Sequence, residues 1–388
     1  MVLALFGPSR EPAGCVVRVG AAQTEITDLY PFLTELTVDC TRTEAWTATL
    51  HFETRRDELG RWTVQDAGIL APWEPIWIEA SFGERTEEVF RGYIREVQAT
   101  YPEEAGAATV TVECQDESIA LDREHRRQIW GEAEAPTTDA LIFQTIMGNS
   151  GLLPDPASGP GLSGLILAQD GTDISFLRAR AEANGYELLF ASGTAYFGPM
   201  RLAGEPQPTL LVYAGPSTNT LTFTVNADGH QPEKVALDLA PTTGSTIESR
   251  TIEPAIPLLG PEPASGGGSG LPDFAWRMRR QGGADEAEQT ARAQAKADLL
   301  SLRVKAEGEL DGTLYGHVLL VGQTVAVDGV GERLSGIYYV DNVNHRFSTD
   351  GYRQSFKLLR NAYGDNVPAS AAGALGGLSL AASVSVAF

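Results

Sequence analysis

The sequence predicts a mainly β protein with an α+β insert and a long helix in its second half. Two stretches rich in alternating apolar and polar residues, 15–118 and 209–361, flank a stretch with helical periodicity. Hydrophobic residues make up 43% of the 388 positions, which is enough for two or three domains with packed cores. We therefore expect a folded chain with two β modules and a bridge between them.

The first β stretch contains strand-like runs rich in Val, Ile, Thr and aromatic residues, with polar turns between them. Short strands packed this closely along a chain are typical of a small barrel or sandwich. The runs are 15–19, 34–40, 46–53, 77–82, 89–101 and 108–113.

The bridge, from residue 119 to about 200, contains two helical segments. Thr138 is placed to cap the first helix, and Gly151 can end it. Asp173 is predicted to cap the second helix, and Gly185 to end it before a strand at 187–190. A basic run at 123–127 precedes both helices; it reads as a solvated turn, with contact to an acidic partner ring as the alternative.

The second β stretch is interrupted by a Pro- and Gly-rich tract, 252–275, which we interpret as a flexible loop insertion because the strand pattern resumes after it. An Ala-rich helix is predicted at 284–302, with a composition that suits close packing against a sheet. The strand-like runs of this stretch are 209–213, 221–225, 233–239, 303–310 and 322–327.

A hairpin at 336–361 ends the second β stretch. Asp350-Gly351 suits a tight turn whose central residues need φ > 0. The spacing predicts that alternate residues share one face of each strand. On the outgoing strand these are Ile337, Tyr339, Val343 and Phe347, and on the returning strand Tyr352, Gln354, Phe356 and Leu358.

The residue order of this hairpin resembles the closing hairpin of the late control protein D family of contractile phage tails, which is similar to the hub half of VgrG spike proteins. The second bridge helix with its following strand resembles the same family, as does the Gly322-x-Thr-Val approach to the hairpin. The matching residues are Asp173, Phe176, Leu177, Arg178, Gly185 and Tyr186 in the bridge, and Gly336, Tyr338, Val340, His345, Gly351, Tyr352, Phe356, Leu358 and Arg360 in the hairpin.

This resemblance implies two related β-barrels bridged by a small α/β segment. The expected domains are a first hub barrel at 1–120, the bridge at 121–205, a second hub barrel at 206–363 with its flexible insertion around 252–283, and an apolar Ala/Gly/Ser tail at 364–388.

The function implied by the resemblance is structural. The chain would be the central baseplate hub of a contractile phage tail or injection system, assembled in the bacterial cytoplasm and part of the finished particle. Three copies, each with two similar barrels, would adapt a threefold spike to a sixfold tail tube. The implied partners are two further copies, a separate spike protein, tail-tube or tube-initiator proteins and other baseplate proteins, with no cofactor.

Composition narrows the possible partners. With 29 basic against 51 acidic residues, the formal charge is −22, which disfavours stable binding of nucleic acid. The acidic surface can serve solubility alone. Alternatively, it can form a wall that a polyanion passes without binding. No apolar run reaches the ~20 residues of a membrane span, and a lipoprotein signal at Gly14-Cys15 is disfavoured by Pro12.

Cys40 and Cys114 lie in strand-like runs and are expected to be buried thiols.

A search for catalytic and metal-binding patterns assigns no residue. The five histidines have no metal-ligand spacing, and neither a nucleophile elbow nor a phosphate loop is present. His345 is interpreted as a strand histidine, packed or hydrogen-bonded within a sheet. We therefore expect no enzymatic activity, and no catalytic, cofactor-binding or metal residues.

Two other functions stay open. A secreted or surface glycan-binding β-protein, with or without hydrolase activity, would explain the barrels and exposed aromatics such as Trp62 and Trp73. A type VI toxin-delivery spike is disfavoured because the needle region is missing.

The tail after Gly364 has no charge beyond Asp365, and we expect it to pair with a partner or fold back on the body.

Overall fold

The computed structural model describes residues 12–104, 106–239, 248–265, 274–278 and 286–367. In these residues strands dominate and helices are few, so the predicted mainly β fold with an α/β insert and a long helix in the second half is confirmed. The apolar tail beyond residue 367 and the Gly-rich part of the insertion lie outside the described residues, as do the predictions made for them.

The first module is a run of antiparallel strands whose alternating residues face a core. In β4, for example, Ala48, Leu50 and Phe52 are buried and the residues between them are not. The strands are β1 (Ala13–Val19), β2 (Thr24–Glu25), β3 (Leu33–Thr41), β4 (Thr47–Glu53), β5 (Pro75–Phe82), β6 (Arg85–Thr100) and β7 (Thr109–Asp116).

The bridge packs two helices against short strands around its own apolar core, which includes Phe143, Leu177 and Phe197. Thr138 caps the first helix, as predicted, and Gly151 ends it in the left-handed region. The elements are β8 (His125–Trp130), β9 (Thr137–Thr138), α1 (Asp139–Ser150), β10 (Leu153–Pro154), β11 (Ser163–Leu165), β12 (Leu167–Thr172), α2 (Asp173–Asn184), β13 (Glu187–Ala191) and β14 (Thr194–Gly198).

The second module contains the closing hairpin and the long helix. Its elements are β15 (Gln207–Leu211), β16 (Thr220–Ala227), β17 (Lys234–Leu239), β18 (Glu248–Ile252), β19 (Glu262–Pro263), β20 (Ala275–Met278), α3 (Glu286–Ser301), β21 (Val304–Asp311), α4 (Gly312–Tyr315), β22 (Thr324–Asp328), β23 (Gly336–Ser348), β24 (Gly351–Arg360) and β25 (Ala362–Tyr363).

The two β modules share one continuous sheet. Strand β3 of the first module pairs with β23 of the second from Glu35↔Ser348 to Thr41↔Asn342, which joins the two halves edge to edge. The strand order is β16-β21-β24-β23-β3-β4-β7-β6-β5-β1-β2, with β22 and β15 attached beside β23. One apolar core accordingly runs beneath both modules.

The second module closes its strands into a ring through one residue, Asn219. The buried Asn219 donates its backbone N–H to Leu211 O (3.2 Å) and accepts the Leu211 N–H on Oδ1 (2.8 Å), linking β15 to the start of β16. Within the part of the chain that the structure describes, the first module is not closed in this way along β1. There the Ala13 and Val17 amides donate to the hydroxyls of Thr313 and Tyr30.

Part of the predicted flexible insertion is folded onto the body. Residues Glu262–Pro263 pair with the chain's last described strand, and Ala275–Met278 run parallel to β17. The predicted flexibility is therefore wrong for these two strands, because each finds a strand edge that local composition does not reveal. Helix α3 packs Ala293 and Ala297 against β17, which is the close approach that its composition predicted.

No helix in the described part of the chain is long and apolar enough to cross a bilayer.

Candidate functional site

The hairpin residues singled out from the sequence form the centre of the sheet. Tyr338 and Val340 are fully buried, and so are Phe356 and Leu358 on the returning strand. A β-bulge between Val340 and Asn342 reverses the alternation along β23. The prediction that Ile337 and Tyr339 share a face with Val343 and Phe347 is therefore wrong. Both instead pack on the opposite face, against Leu202 and Leu259.

His345 lies in the core of this hairpin, as the sequence indicated for a strand histidine. Its side chain is 1% exposed, and Nδ1 shares a 2.9 Å hydrogen bond with the hydroxyl of Tyr352. The Tyr352 ring is stacked on Phe347 with centroids 4.1 Å apart. Burial lowers the pKa of His345 to about 3, because the charged imidazolium would lose its hydration here.

This depressed pKa predicts a pH-dependent stability. Below pH 6.5 the unfolded histidine binds a proton that the folded one refuses until about pH 3, so the folded state loses stability as pH falls through that window. We expect the free energy of unfolding to fall by about 2 kcal/mol more between pH 7 and 4.5 in the native protein than in His345→Gln. Denaturant titrations at the two pH values measure this difference.

The matched control is His125, whose imidazole is 58% exposed. His125→Gln controls for the loss of an imidazole at an exposed position. Equal slopes for the native protein and His345→Gln would show that His345 is not buried as a neutral ring.

Two glycines of the hairpin are required by geometry. Gly336 has φ +134°, and a Cβ there would lie 2.3 Å from the Arg360 guanidinium. Gly351 has φ +97° and begins the returning strand. Asp350, expected to share the positive φ, does not; its N–H instead donates to Ser348 Oγ. Only the glycine of the Asp-Gly pair therefore needs the left-handed region.

Arg360 is buried at the end of β24 and is satisfied by backbone carbonyls. Its guanidinium donates to the carbonyls of Ser335 (2.9 Å), Gly364 (2.6 Å) and Leu259 (3.2 and 3.3 Å), and also to that of Leu334. Desolvation lowers its pKa. One side chain thus fastens the folded part of the insertion, the turn before β23 and the chain after β24.

The bridge residues that carry the family resemblance lie along α2 and directly after it. Thr172, not Asp173, is the N-cap: Asp173 is the first helical residue, and the Thr172 hydroxyl accepts the Ser175 N–H. Asp173 accepts from Gln169 Nε2 (2.7 Å) and pairs with Arg126 Nη1 (3.2 Å). Arg126 belongs to the basic run at 123–127, which the sequence favoured as a turn; from His125 onward it forms β8.

The remaining members of the bridge signature differ in burial. Leu177 lies in the core, and Phe176 is half-buried with its ring stacked on Trp130. Arg178 is exposed. Sequence reasoning placed all of them together as one motif, and the structure separates a packing residue from a surface cation.

Gly185 and Tyr186 fix how α2 meets its neighbours. Gly185 ends the helix at φ +66°, and a Cβ on it would lie 2.5 Å from Ala295 Cβ on α3. Tyr186 packs its ring edge against Phe197 with centroids 5.2 Å apart, and its hydroxyl accepts the Gly161 N–H. Any side chain at Gly185 would therefore push the two helices apart.

Sequence reasoning missed the buried ion pair of the bridge. Asp139 is 1% exposed and accepts from Arg180 Nε (2.7 Å) and Nη2 (3.2 Å), from Asn184 Nδ2 (2.7 Å) and from the Leu162 N–H (2.9 Å). In the sequence Asp139 looks like an ordinary residue of a helix N-terminus, and its partners are 23 to 45 positions away.

A second missed cluster lies where all three parts of the chain meet. Arg42 of the first module pairs with Asp341 Oδ1 of the second (2.9 Å), and its Nε lies 3.6 Å from Glu187 Oε1 of the bridge. The Tyr339 hydroxyl donates to Glu187 Oε2 at 2.6 Å. Burial raises the pKa of Glu187. This three-part junction, Arg42, Glu187, Tyr339 and Asp341, holds the modules and the bridge in one arrangement.

A cleft of about 840 Å³ lies beside this junction between α2, β13 and α3. Its walls combine apolar residues such as Met200 and Ile256 with cations such as Arg292. Among the residues the structure describes, no three His, Cys, Asp or Glu side chains are grouped so that they could hold a metal ion.

Comparison with known proteins places the chain in a family. The model of the family described as "Alg8 N-terminal domain" matches residues 18–349, from the first strand to the turn of the closing hairpin. The chain belongs to this family. The description differs from the late control protein D family that the motifs resemble, and that narrower assignment stays a hypothesis. A search of curated proteins finds no match.

Solved structures share the fold at low sequence identity. The 43 kDa tail protein of prophage MuSo2 from Shewanella oneidensis is 14% identical, with a TM-score of 0.65 over 90% of this chain and 98% of that one. A chain of the Francisella PdpA–VgrG complex is 10% identical, with a TM-score of 0.55 over 93% and 55%. The E. coli c3393 protein, a type VI secretion component, is 11% identical, with a TM-score of 0.53 over 87% and 76%. This chain, a member of the Alg8 N-terminal domain family, therefore shares its fold with phage tail and injection-system proteins.

Proposed function

We propose that this chain is the central hub protein of a contractile phage tail or injection-system baseplate. Three copies would form a ring that meets a threefold spike on one side and a sixfold tail tube on the other. The observation that carries the proposal is the continuous sheet, in which β3 pairs with β23 and fixes two β modules side by side in each subunit. A ring of three such subunits presents six β modules, which is what a sixfold neighbour needs.

The fold likeness supports this role, because the S. oneidensis tail protein aligns over nearly its whole length, not over one module alone. The domain division at residues 120, 205 and 363 is part of the proposal, as is the relatedness of the two modules. In the particle the partners would be a separate spike protein, tube or tube-initiator proteins and other baseplate proteins. The chain would be assembled in the bacterial cytoplasm and act by shape, without catalysis.

The acidic composition fits a ring with a central passage. Three copies of a chain with a formal charge of −22 would give walls that repel passing DNA. A basic lining of that passage in an assembled ring would count against this part of the proposal.

Molar mass in solution tests the ring. We expect light scattering to give three times the 41.5 kDa of the chain, either for the chain alone or once a short spike protein from a neighbouring gene is added. A monomer in both cases would contradict the proposal.

The glycan-binding alternative predicts a monomer and an aromatic surface for sugar rings. Of the two tryptophans that suggested it, Trp62 is half-buried against Tyr101, and only Trp73 is exposed, with the Arg123 guanidinium 4.2 Å from its ring centroid. Oligosaccharide binding that Trp73→Ala abolishes would favour the alternative. We expect no such binding.

A further inference from the structure

Strand β16 carries no charge and, among the described residues, has one open edge. Its residues, Thr220–Ala227, read TLTFTVNA and pair on one side with β21, while the other side has no strand partner among the described residues. Open strand edges in soluble proteins are normally protected by charges or proline, because their free N–H and C=O groups attract other strands. The chain has 51 acidic and 29 basic residues, so charges that could protect an edge are plentiful. Their absence from this edge indicates that another strand covers it.

Among the described residues only the start of β16 is joined to β15, through Asn219, and a bulge at Leu221 in the pairing of β16 with β21 follows directly. Phe223 and Val225 stay half-buried against the core, while Thr222 and Thr224 face outward.

The chain contains one segment outside the described residues that reads as the missing strand. Residues 378–388, LSLAASVSVAF, are uncharged and alternate except at the Ala381-Ala382 pair. One set of positions is small or polar: Ser379, Ala381, Ser383, Ser385 and Ala387. The other set is apolar: Leu378, Leu380, Ala382, Val384, Val386 and Phe388. The alternation matches that of β16, where Leu221, Phe223, Val225 and Ala227 alternate with threonines and Asn226.

The last described residues bring this segment within reach. Asn366 Oδ1 accepts the Ile337 N–H at the start of β23, which is three strand positions from β16 through β24 and β21. Three strand spacings amount to about 15 Å, and the ten residues 368–377 can span about 33 Å. Arg360 pairs with Val304 and Val304 with Ala227, so the chain leaves the sheet at the Ala227 end. A strand running back from there is antiparallel to β16.

We propose that residues 378–388 of the same chain add to the open edge of β16 as an antiparallel strand. The face with Val384, Val386 and Phe388 continues the side of the sheet on which Phe223 and Val225 lie, and the serines face outward. The segment thereby covers the unprotected edge that the second module otherwise exposes. This inference does not depend on the proposed hub function.

Amide hydrogen exchange tests the added strand. In the full chain the amides of Thr222–Ala227 that point away from β21 should exchange at least about tenfold more slowly than in a chain ended after Val367. That end point keeps the Gly364 and Asn366 contacts in place.

Two matched double variants keep the length of the chain and supply the control. Val384→Asp with Val386→Asp should lose the protection as completely as the truncation, because the charges fall on the buried face. Ser383→Asp with Ser385→Asp should keep it. Equal exchange at β16 in the full and shortened chains would overturn the proposal. Protection that grows with protein concentration, or that needs a spike protein, would place the strand in another chain and overturn it as well.

Discussion

Replacing Arg360 with methionine should lower the free energy of unfolding by about 3 kcal/mol, measured by denaturant titration. The methylene part of the side chain is kept, so the loss comes from the buried carbonyls of Leu259, Ser335 and Gly364, which would have no donor. Removing a buried charge recovers some solvation energy. The backbone acceptors, however, cannot be removed with it, and each orphaned carbonyl costs about 1–3 kcal/mol. The free-energy cost of the carbonyls left without a donor therefore exceeds the solvation energy recovered by removing the charge.

Arg346 provides the matched control for Arg360. It lies on β23 of the same hairpin, and its side chain is 53% exposed in an ion pair with Glu35. Arg346→Met should cost less than about 1 kcal/mol. Arg360→Lys should fall between the two variants, since one ammonium cannot reach all the carbonyls. Equal losses for Arg346→Met and Arg360→Met would contradict the anchoring role of Arg360.

The second large effect is expected in the bridge. Asp139→Ala should destabilise it by about 3–5 kcal/mol, because Arg180 would be left buried at 5% exposure without its bidentate partner. In the same step the Leu162 N–H loses its acceptor, and Asn184 Nδ2 keeps only the Arg180 carbonyl. Hydrogen exchange of α1 and α2 should rise steeply while that of β4 and β7 changes little.

A second substitution separates lost charge pairing from lost packing. Adding Arg180→Met to Asp139→Ala should restore part of the stability, since it removes a buried cation that is left with Glu288 alone, 3.7 Å from its Nη1. The exposed pair of Arg127 and Asp170 serves as the control, and Asp170→Ala should leave α1 and α2 unchanged within about 0.5 kcal/mol. If the double variant is as unstable as the two single losses added together, the ion pair is not the cause.

Local patterns were enough to predict most of the strands and helices. The alternation in β4 and β7, the threonine cap of α1 and the left-handed Gly185 each act through neighbours a few residues away, so the sequence displays them directly. The bulge at Val340–Asn342 could not be predicted in this way, because one extra residue reverses the faces of a strand without changing its composition.

Long-range pairings were beyond the sequence pattern. The pairing of β3 with β23 joins residues about three hundred positions apart, and the sequence of neither strand indicates which strand it will pair with. The same holds for the three-part junction, where Arg42, Glu187 and Asp341 meet from three separate segments. The family resemblance marked Arg360 as a signature residue. Its physical role became visible only with the carbonyls that surround it.

The central claim is that three copies, each with two β modules held in one sheet, provide six places for a tail tube. Electron microscopy of the assembled particle, with the chain located in the density, tests it most directly. We predict three copies in a ring on the particle axis, with the first and second modules alternating beneath the first ring of the tube. Six copies in the ring, or a position away from the axis, would contradict the claim.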